Sequence, residues 1–378
     1  MPFDTALIID VLIALVAALV MSFAATPVIK AFAQKVGAMD IPDDDRRVHD
    51  HPIPRLGGLA IFIAFILSVV LFADISKQVS GILLGAILVV AIGAVDDVVS
   101  LKAWVKFIFQ IIAAVIAVMH DVVIQVIMNP NVFSNVDTLN LGPFAIPVTI
   151  IWIVAITNSV NLIDGLDGLA VGVSTISSVM MLVIALLVAD ANMAVILASL
   201  AGACIGFMPY NLNPAKIFMG DTGALLLGYV LSTVSIIGLF KFYAVVSFAV
   251  PFLVLAVPLF DTVFAFFRRL LKGQNPMKPD RGHFHHRLID MGLNQKQAVA
   301  ILYSISMLLG LAAVVMTTSG ELRALILIIC GFFAAIFAGM LIKGRLNGNG
   351  NGNGNGNSDG TAHESDKASS ESEDDKDA

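Results

Sequence analysis

Long apolar stretches separated by short polar ones run through most of the chain's 378 residues. About 17–25 apolar residues suffice for a helix to cross a bilayer. Eleven stretches fit that description: Ala6–Ala25, Leu56–Ala73, Gly81–Val95, Val105–Met119, Phe144–Thr157, Leu169–Ala189, Met193–Met208, Ala224–Phe240, Phe242–Phe267, Val299–Thr317 and Leu322–Ile342. The third, fourth and fifth are short and lean on flanking residues, so ten spans is the alternative. The ninth contains Pro251 and Pro258, which remove backbone donors and should bend or break the helix. Such a break either opens a groove towards lipid or is a simple kink. Between Asp121 and Pro143, the segments Asn129-Pro130-Asn131 and Leu139-Asn140-Leu141-Gly142-Pro143 are expected to bracket a short β-hairpin. The fold class is therefore all-α, a polytopic membrane helix bundle of about 11 transmembrane helices.

Composition agrees with that pattern. Hydrophobic residues make up 58%, charged residues 13%, and mean hydropathy is +0.91, values foreign to a soluble domain. The net charge of −6 comes from the segment after Asn357, where eight acidic residues face Lys367 and Lys376; elsewhere twenty of each sign balance. Overall charge therefore implies no nucleic-acid partner. Cys204 and Cys330 lie within apolar runs and read as buried thiols. The N-terminal apolar run has no basic region before it and reads as a retained span.

The loops are asymmetric in charge. With eleven spans and the N-terminus outside, seventeen Lys and Arg fall on one side and only Lys77, Lys241 and Arg323 on the other. The richer side is expected to be cytoplasmic. Residues 1–346 form the expected membrane domain. Residues 347–378, alternating Asn and Gly before turning acidic, read as a disordered cytoplasmic tail.

Four polar clusters fall on that cytoplasmic side. Asp96-Asp97 ends the third span near Lys102 and Lys106; adjacent carboxylates repel, so they need a cation, a raised pKa or a capping role. Asn158-Ser159-Val160-Asn161-Leu162-Ile163-Asp164-Gly165-Leu166-Asp167-Gly168 ends the fifth, and Asn161, Asp164 and Asp167 would share one side of a helical turn. Asn211 to Gly223 enters the eighth span. There Asp221 reads equally as an N-cap or as part of an anion or metal-phosphate site. His283, His285, His286, Asp280, Arg281 and Arg287 lie in the long loop after the ninth span. Phosphate recognition suits them better than zinc, because His49 and His51 offer no finger spacing. Together the clusters predict one composite site at the inner membrane surface, with carboxylates holding Mg²⁺ or Mn²⁺ and cations holding a diphosphate. A secondary transporter is the rival, although transporter sites sit near the midplane.

These residues, with Val48-His49-Asp50 and Pro54-Arg55-Leu56-Gly57-Gly58, resemble the motifs of the polyprenyl-phosphate N-acetylhexosamine-1-phosphate transferases (glycosyltransferase family 4). The match covers about residues 25–346 and is closest to the bacterial branch that makes undecaprenyl-diphospho-N-acetylglucosamine. Phe284 departs from the isoleucine usual in the His-x-His-His motif. The muramoyl-pentapeptide branch usually carries a run of adjacent histidines there.

The resemblance implies attack of undecaprenyl phosphate on the β-phosphorus of UDP-N-acetylglucosamine, with UMP leaving. UDP-N-acetylmuramoyl-pentapeptide is the alternative donor, and a covalent aspartyl-phosphate route stays open. By resemblance, Asn161 and Asp221 hold Mg²⁺ (or Mn²⁺), Asp96 manages the acceptor's proton with Asp97 in support, and Asp164 meets the nucleotide. Phe218 stacks on uracil near Asn211. His283, His285 and His286 grip the diphosphate. Arg55, Asp167 and Arg287 complete the expected substrate contacts. The lipid bilayer is the implied surrounding, and a homodimer is left open.

Overall fold

The computed structural model describes residues 5–41, 51–128, 138–188, 190–242, 249–271 and 284–318, with isolated positions 327, 329 and 334. Its long helices are α1 (Thr5–Val36), α2 (Gly58–Phe72), α3 (Lys77–Val99), α4 (Ala103–Met119), α5 (Ala145–Ile163), α6 (Leu169–Leu187), α7 (Ala191–Asn211) and α8 (Gly220–Phe242). Then follow α9 (Ala249–Val254), α10 (Ala256–Leu271), α11 (Phe284–Asp290) and α12 (Gln295–Thr317). Among the described residues, seven helices are long and apolar enough to cross a membrane, and α2 and α4 are shorter apolar helices. Ten of the eleven expected spans thus appear as helices. The eleventh, Leu322–Ile342, lies almost wholly outside the described residues.

Local signals explain several boundaries. The side chains of Ser76, Asp190 and Asn294 accept backbone N–H bonds at the starts of α3, α7 and α12. The ninth span is indeed broken, between α9 and α10 around Leu255. Pro258 cannot donate to the carbonyl of Val254. The Ser177 hydroxyl donates to that oxygen instead, at 2.9 Å, so the Val254 carbonyl keeps a partner. A hairpin is also present, but its strands β3 (Val126–Met128) and β4 (Thr138–Asn140) pair with Val126 opposite Asn140, so the first strand precedes Asn129.

The interior joins residues of all twelve helices, from Val11 of α1 to Val314 of α12, into one apolar core. Two close approaches fix its site end. A methyl placed on Gly58 would lie 2.1 Å from the backbone nitrogen of Gly223, and one on Gly93 would lie 2.7 Å from Cα of Thr222. Only glycine lets α2 and α3 touch the first turn of α8 so closely. Just outside, the segment after strands β1 (Met39–Asp40) and β2 (Ile53–Pro54) runs beside residues 218–219. Phe218 N donates to Pro54 O at 2.8 Å, Gly57 N to Phe218 O at 2.9 Å and Gly58 N to Met219 O at 2.8 Å.

Candidate active site

The start of α8 organises the site. Its first amides are unpaired within the helix, and an acceptor must meet them. Asp97, buried at the end of α3, supplies it. One carboxylate oxygen accepts from Asp221 N at 2.9 Å, the other from Thr222 N at 3.0 Å and from the Thr222 hydroxyl at 2.6 Å. Gly220, at φ +70°, makes the turn into the helix. Arg55 lies 3.3 Å from Asp97 and 3.5 Å from Asp40, tying the Pro54–Gly58 segment to the same carboxylate. The helix start therefore already holds an anion, and that anion is Asp97.

Because Asp97 caps α8, Asp221 does not. Its carboxylate turns instead towards α4 and α5, where Lys106 Nζ donates at 2.5 Å and the Asn161 side chain also engages it. The same ammonium donates to Asp96 at 3.0 Å, while the other oxygen of Asp96 accepts from Leu101 N at 2.6 Å. Lys106 is thus the centre of the cluster. Sequence reading noted its nearness to Asp96 but gave it no role. The only signal available was a lysine in the first turn of an otherwise apolar helix.

One turn further into the bundle, Gln110 and Asn158 exchange amide hydrogen bonds. Asn158 Nδ2 donates to Gln110 at 2.5 Å and Gln110 Nε2 to Asn158 at 3.4 Å. Gln110 lies four residues beyond Lys106 and Asn158 three before Asn161, so the amide pair fixes α4 against α5 where both site residues project.

The second motif is part helix, part turn. α5 ends at Ile163, so Asn161 is helical while Asp164 and Asp167 lie in the turn leading to α6. Burial first, then the charges of Asp221 and Asp97, push the Asp164 carboxyl up to about 8, against the opposing pull of Arg55. Asp167 faces the loop after α7, accepting from Asn213 Nδ2 at 2.9 Å and Ala215 N at 3.0 Å. Asn213 also donates to Gln295 at 2.6 Å, and the Tyr303 hydroxyl donates to Gly168 O at 2.5 Å, so α12 braces both loops. Buried Asn211 donates to Ile217 O at 3.0 Å, while its own carbonyl oxygen has no protein partner. Phe218 is half-buried beside it on the strand-like segment paired with Arg55.

Beyond Ile163 lies a cavity of about 400 Å³ between α5, α6, α10 and α12, lined by Leu169, Phe260, Phe264, Leu302 and Leu309. Its polar members are Asp261 and Arg287. Asp261, which sequence reading passed over inside an apolar run, accepts from Phe284 N at 2.7 Å and so sets the start of α11. The Arg287 guanidinium lies 5.1 Å over the Phe264 ring. His283 falls outside the described residues. His285 and His286 are described only as backbone of α11, which adjoins this cavity.

Asp96, Asp97, Asn161, Asp164, Asp221 and Arg55 are therefore one cluster, with Asp167, Asn211 and Phe218 on the loops around it and Arg287 across the cavity. The donor set fits a hard divalent cation in chemistry. Carboxylate oxygens converge around a cationic ammonium, with the Asn161 amide beside them and no thiolate among the described site residues. Among the described residues, no group of three or more His, Cys, Asp or Glu side chains is assembled as a ready cation cage.

A helical bundle with carboxylates, an amide and cations gathered at one end, beside a deep apolar cavity, defines an integral-membrane transferase for a phosphorylated substrate. Residues 79–239 match the profile described as glycosyl transferase family 4. A Bacillus subtilis (strain 168) protein named as a probable undecaprenyl-phosphate N-acetylglucosaminyl 1-phosphate transferase is 39% identical, covering 82% of this chain and 86% of the relative. A decaprenyl-phosphate N-acetylglucosaminephosphotransferase of Mycolicibacterium smegmatis is 36% identical over 77% of this chain and 78% of its own. A phospho-N-acetylmuramoyl-pentapeptide-transferase of Thermoanaerobacter sp. (strain X514) is 33% identical over 60% of this chain and 75% of its own. The chain belongs to glycosyl transferase family 4, and it is a glycosyl-1-phosphate transferase.

Proposed function

We propose that this protein transfers N-acetylglucosamine 1-phosphate from UDP-N-acetylglucosamine to undecaprenyl phosphate, releasing UMP. The observation that carries this reading is the gathering of Asp96, Asp221, Asn161, Lys106 and Arg55 at one end of the bundle, beside an apolar cavity that begins at Ile163. The relatives that cover most of the chain carry names with the same sugar phosphate and a polyprenyl acceptor. The asymmetry of Lys and Arg supports a site on the cytoplasmic face of the plasma membrane.

The acceptor's phosphate monoester, with a second pKa of about 6, is mostly dianionic at neutral pH and needs little help from a base. The obstacle is the meeting of two polyanions. Asn161 and Asp221 would hold Mg²⁺ (or Mn²⁺), which supplies charge neutralisation and alignment of the diphosphate when bound. Lys106 and Arg55 add fixed positive charge around it, with Arg287 across the cavity, and by resemblance the His-x-His-His motif would grip the diphosphate. Asp96, already hydrogen-bonded to Lys106, is placed to take any proton the acceptor still carries. Asp164, held towards its neutral form, can donate to a nucleotide oxygen. The unpartnered carbonyl of Asn211 suits an imide N–H of uracil, with Phe218 offering its ring face. Asp97 and Asp167 keep α8 and the 211–216 loop in place. The cavity lined by Phe260, Phe264 and Leu302 accepts the isoprenoid units nearest the acceptor's phosphate.

Purified protein in detergent, given undecaprenyl phosphate and Mg²⁺, should release UMP from UDP-N-acetylglucosamine. No release would overturn the reading. The relative named for a muramoyl-pentapeptide donor supports a second reading. Faster turnover with UDP-N-acetylmuramoyl-pentapeptide in the same assay would favour it.

A further inference from the structure

Lys106 sits between Asp221, a proposed metal ligand, and Asp96, the proposed proton acceptor. Its ammonium touches Asp96 at 3.0 Å and Asp221 at 2.5 Å, with side chains only 21%, 7% and 17% exposed. Two carboxylates brought this close in a half-dry site repel each other unless a proton or a cation is shared between them. In the folded chain Lys106 supplies a cation to both.

The choice of lysine matters. An arginine fork would lock onto a carboxylate through two parallel bonds, whereas an ammonium on four flexible methylenes is a movable point charge. Lys106 belongs to the first turn of α4, and its long stem lets the ammonium reach either carboxylate. Asp97, by contrast, has both oxygens engaged by α8 and offers the ammonium no alternative seat. A divalent cation on Asp221 supplies that carboxylate with its counter-charge, and Lys106 becomes a surplus positive charge beside an incoming diphosphate.

We propose that Lys106 is a place-holding counter-ion: it occupies the Asp221 carboxylate until a divalent cation takes that carboxylate over, and then turns to the donor's diphosphate. This rests on the metal-dependent reading above and deepens it, because the same side chain opposes metal binding and supports donor binding.

The two effects have opposite signs, which a merely structural ion pair would not produce. The test uses the full-length protein in detergent, titrated with Mn²⁺ and followed by electron paramagnetic resonance. Lys106→Gln should bind Mn²⁺ about tenfold more tightly than wild type. At saturating Mn²⁺ it should bind UDP-N-acetylglucosamine about tenfold more weakly by calorimetry. Lys106→Arg, which keeps the charge and is the safer variant for folding, should bind Mn²⁺ within about twofold of wild type. In the wild type itself, Mn²⁺ should expose Lys106 to an amine-acylating reagent, read by peptide mass spectrometry, and added donor should restore protection. Equal or weaker Mn²⁺ binding by Lys106→Gln, or unchanged labelling in the wild type, would overturn the place-holder role alone. Absence of Mn²⁺ binding by both proteins would overturn the metal reading and this proposal together.

Discussion

Neighbouring aspartates divide labour in this site, and the division can be tested by separating stability from turnover. Asp97 accepts three hydrogen bonds from the first turn of α8. Asp97→Ala strands those donors, each worth about 1–3 kcal/mol when left unpaired in a buried place. It should lower the thermal midpoint markedly in detergent. Asp221→Asn should fold and insert normally yet lose transfer; substantial turnover in that variant would remove Asp221 from the metal site. Asp164 offers a pH signature. Its folded pKa of about 8 stands above the ordinary 3.8, so the fold holds the proton more tightly than the unfolded chain does. The group's contribution to stability is therefore most favourable at low pH. It declines as pH rises from about 4 to about 8, and is flat above that. Asp164→Asn should raise the thermal midpoint at neutral pH, with a gain that grows up to about pH 8 and then levels. A gain independent of pH would show that the carboxyl is not held neutral. Transfer should fall in the same variant.

At the scale of elements, the bundle was largely legible from the sequence and the site only partly so. Apolar run length marks spans because every backbone group in lipid must be satisfied by helix. The two prolines announced the break between α9 and α10. The polar motifs announced themselves as charge at span ends. The run-length signal does not say how a helix is rotated or which distant residue it meets. That is why Lys106 and Asp261 were given no role, and why Asp97 was not seen as the cap of a helix 123 residues later. The second motif also looked more helical than it is, since α5 stops at Ile163 and leaves Asp164 and Asp167 to the turn. The Gln110–Asn158 pair is another such cross-helix contact. Gln110→Leu should lower the thermal midpoint and reduce transfer, because Asn158 loses its partner and Lys106 and Asn161 lose their shared register. Adding Asn158→Leu should restore much of the stability without restoring the rate. Recovery of both would make the pair a packing device only.

At the scale of the whole molecule, the membrane domain and the acidic tail are separable by composition. The run from Asn347 onward has almost no apolar side chains to contribute to a core or a lipid groove. Removing residues 347–378 should leave UMP release within about twofold of the full chain, and a larger loss would give the tail a catalytic part. The glycine contacts at the head of α8 bear on the transporter alternative. A carrier needs two rigid halves that rock about a slip plane passing through the binding pocket. Here α2, α3 and α8 are seated backbone to backbone at Gly58, Gly93 and Gly223, as tightly as wedges in an arch. A junction seated this closely leaves no slip plane there, which suits a substrate that enters and departs on one side and hands its phosphosugar to the lipid beside it better than cargo carried across.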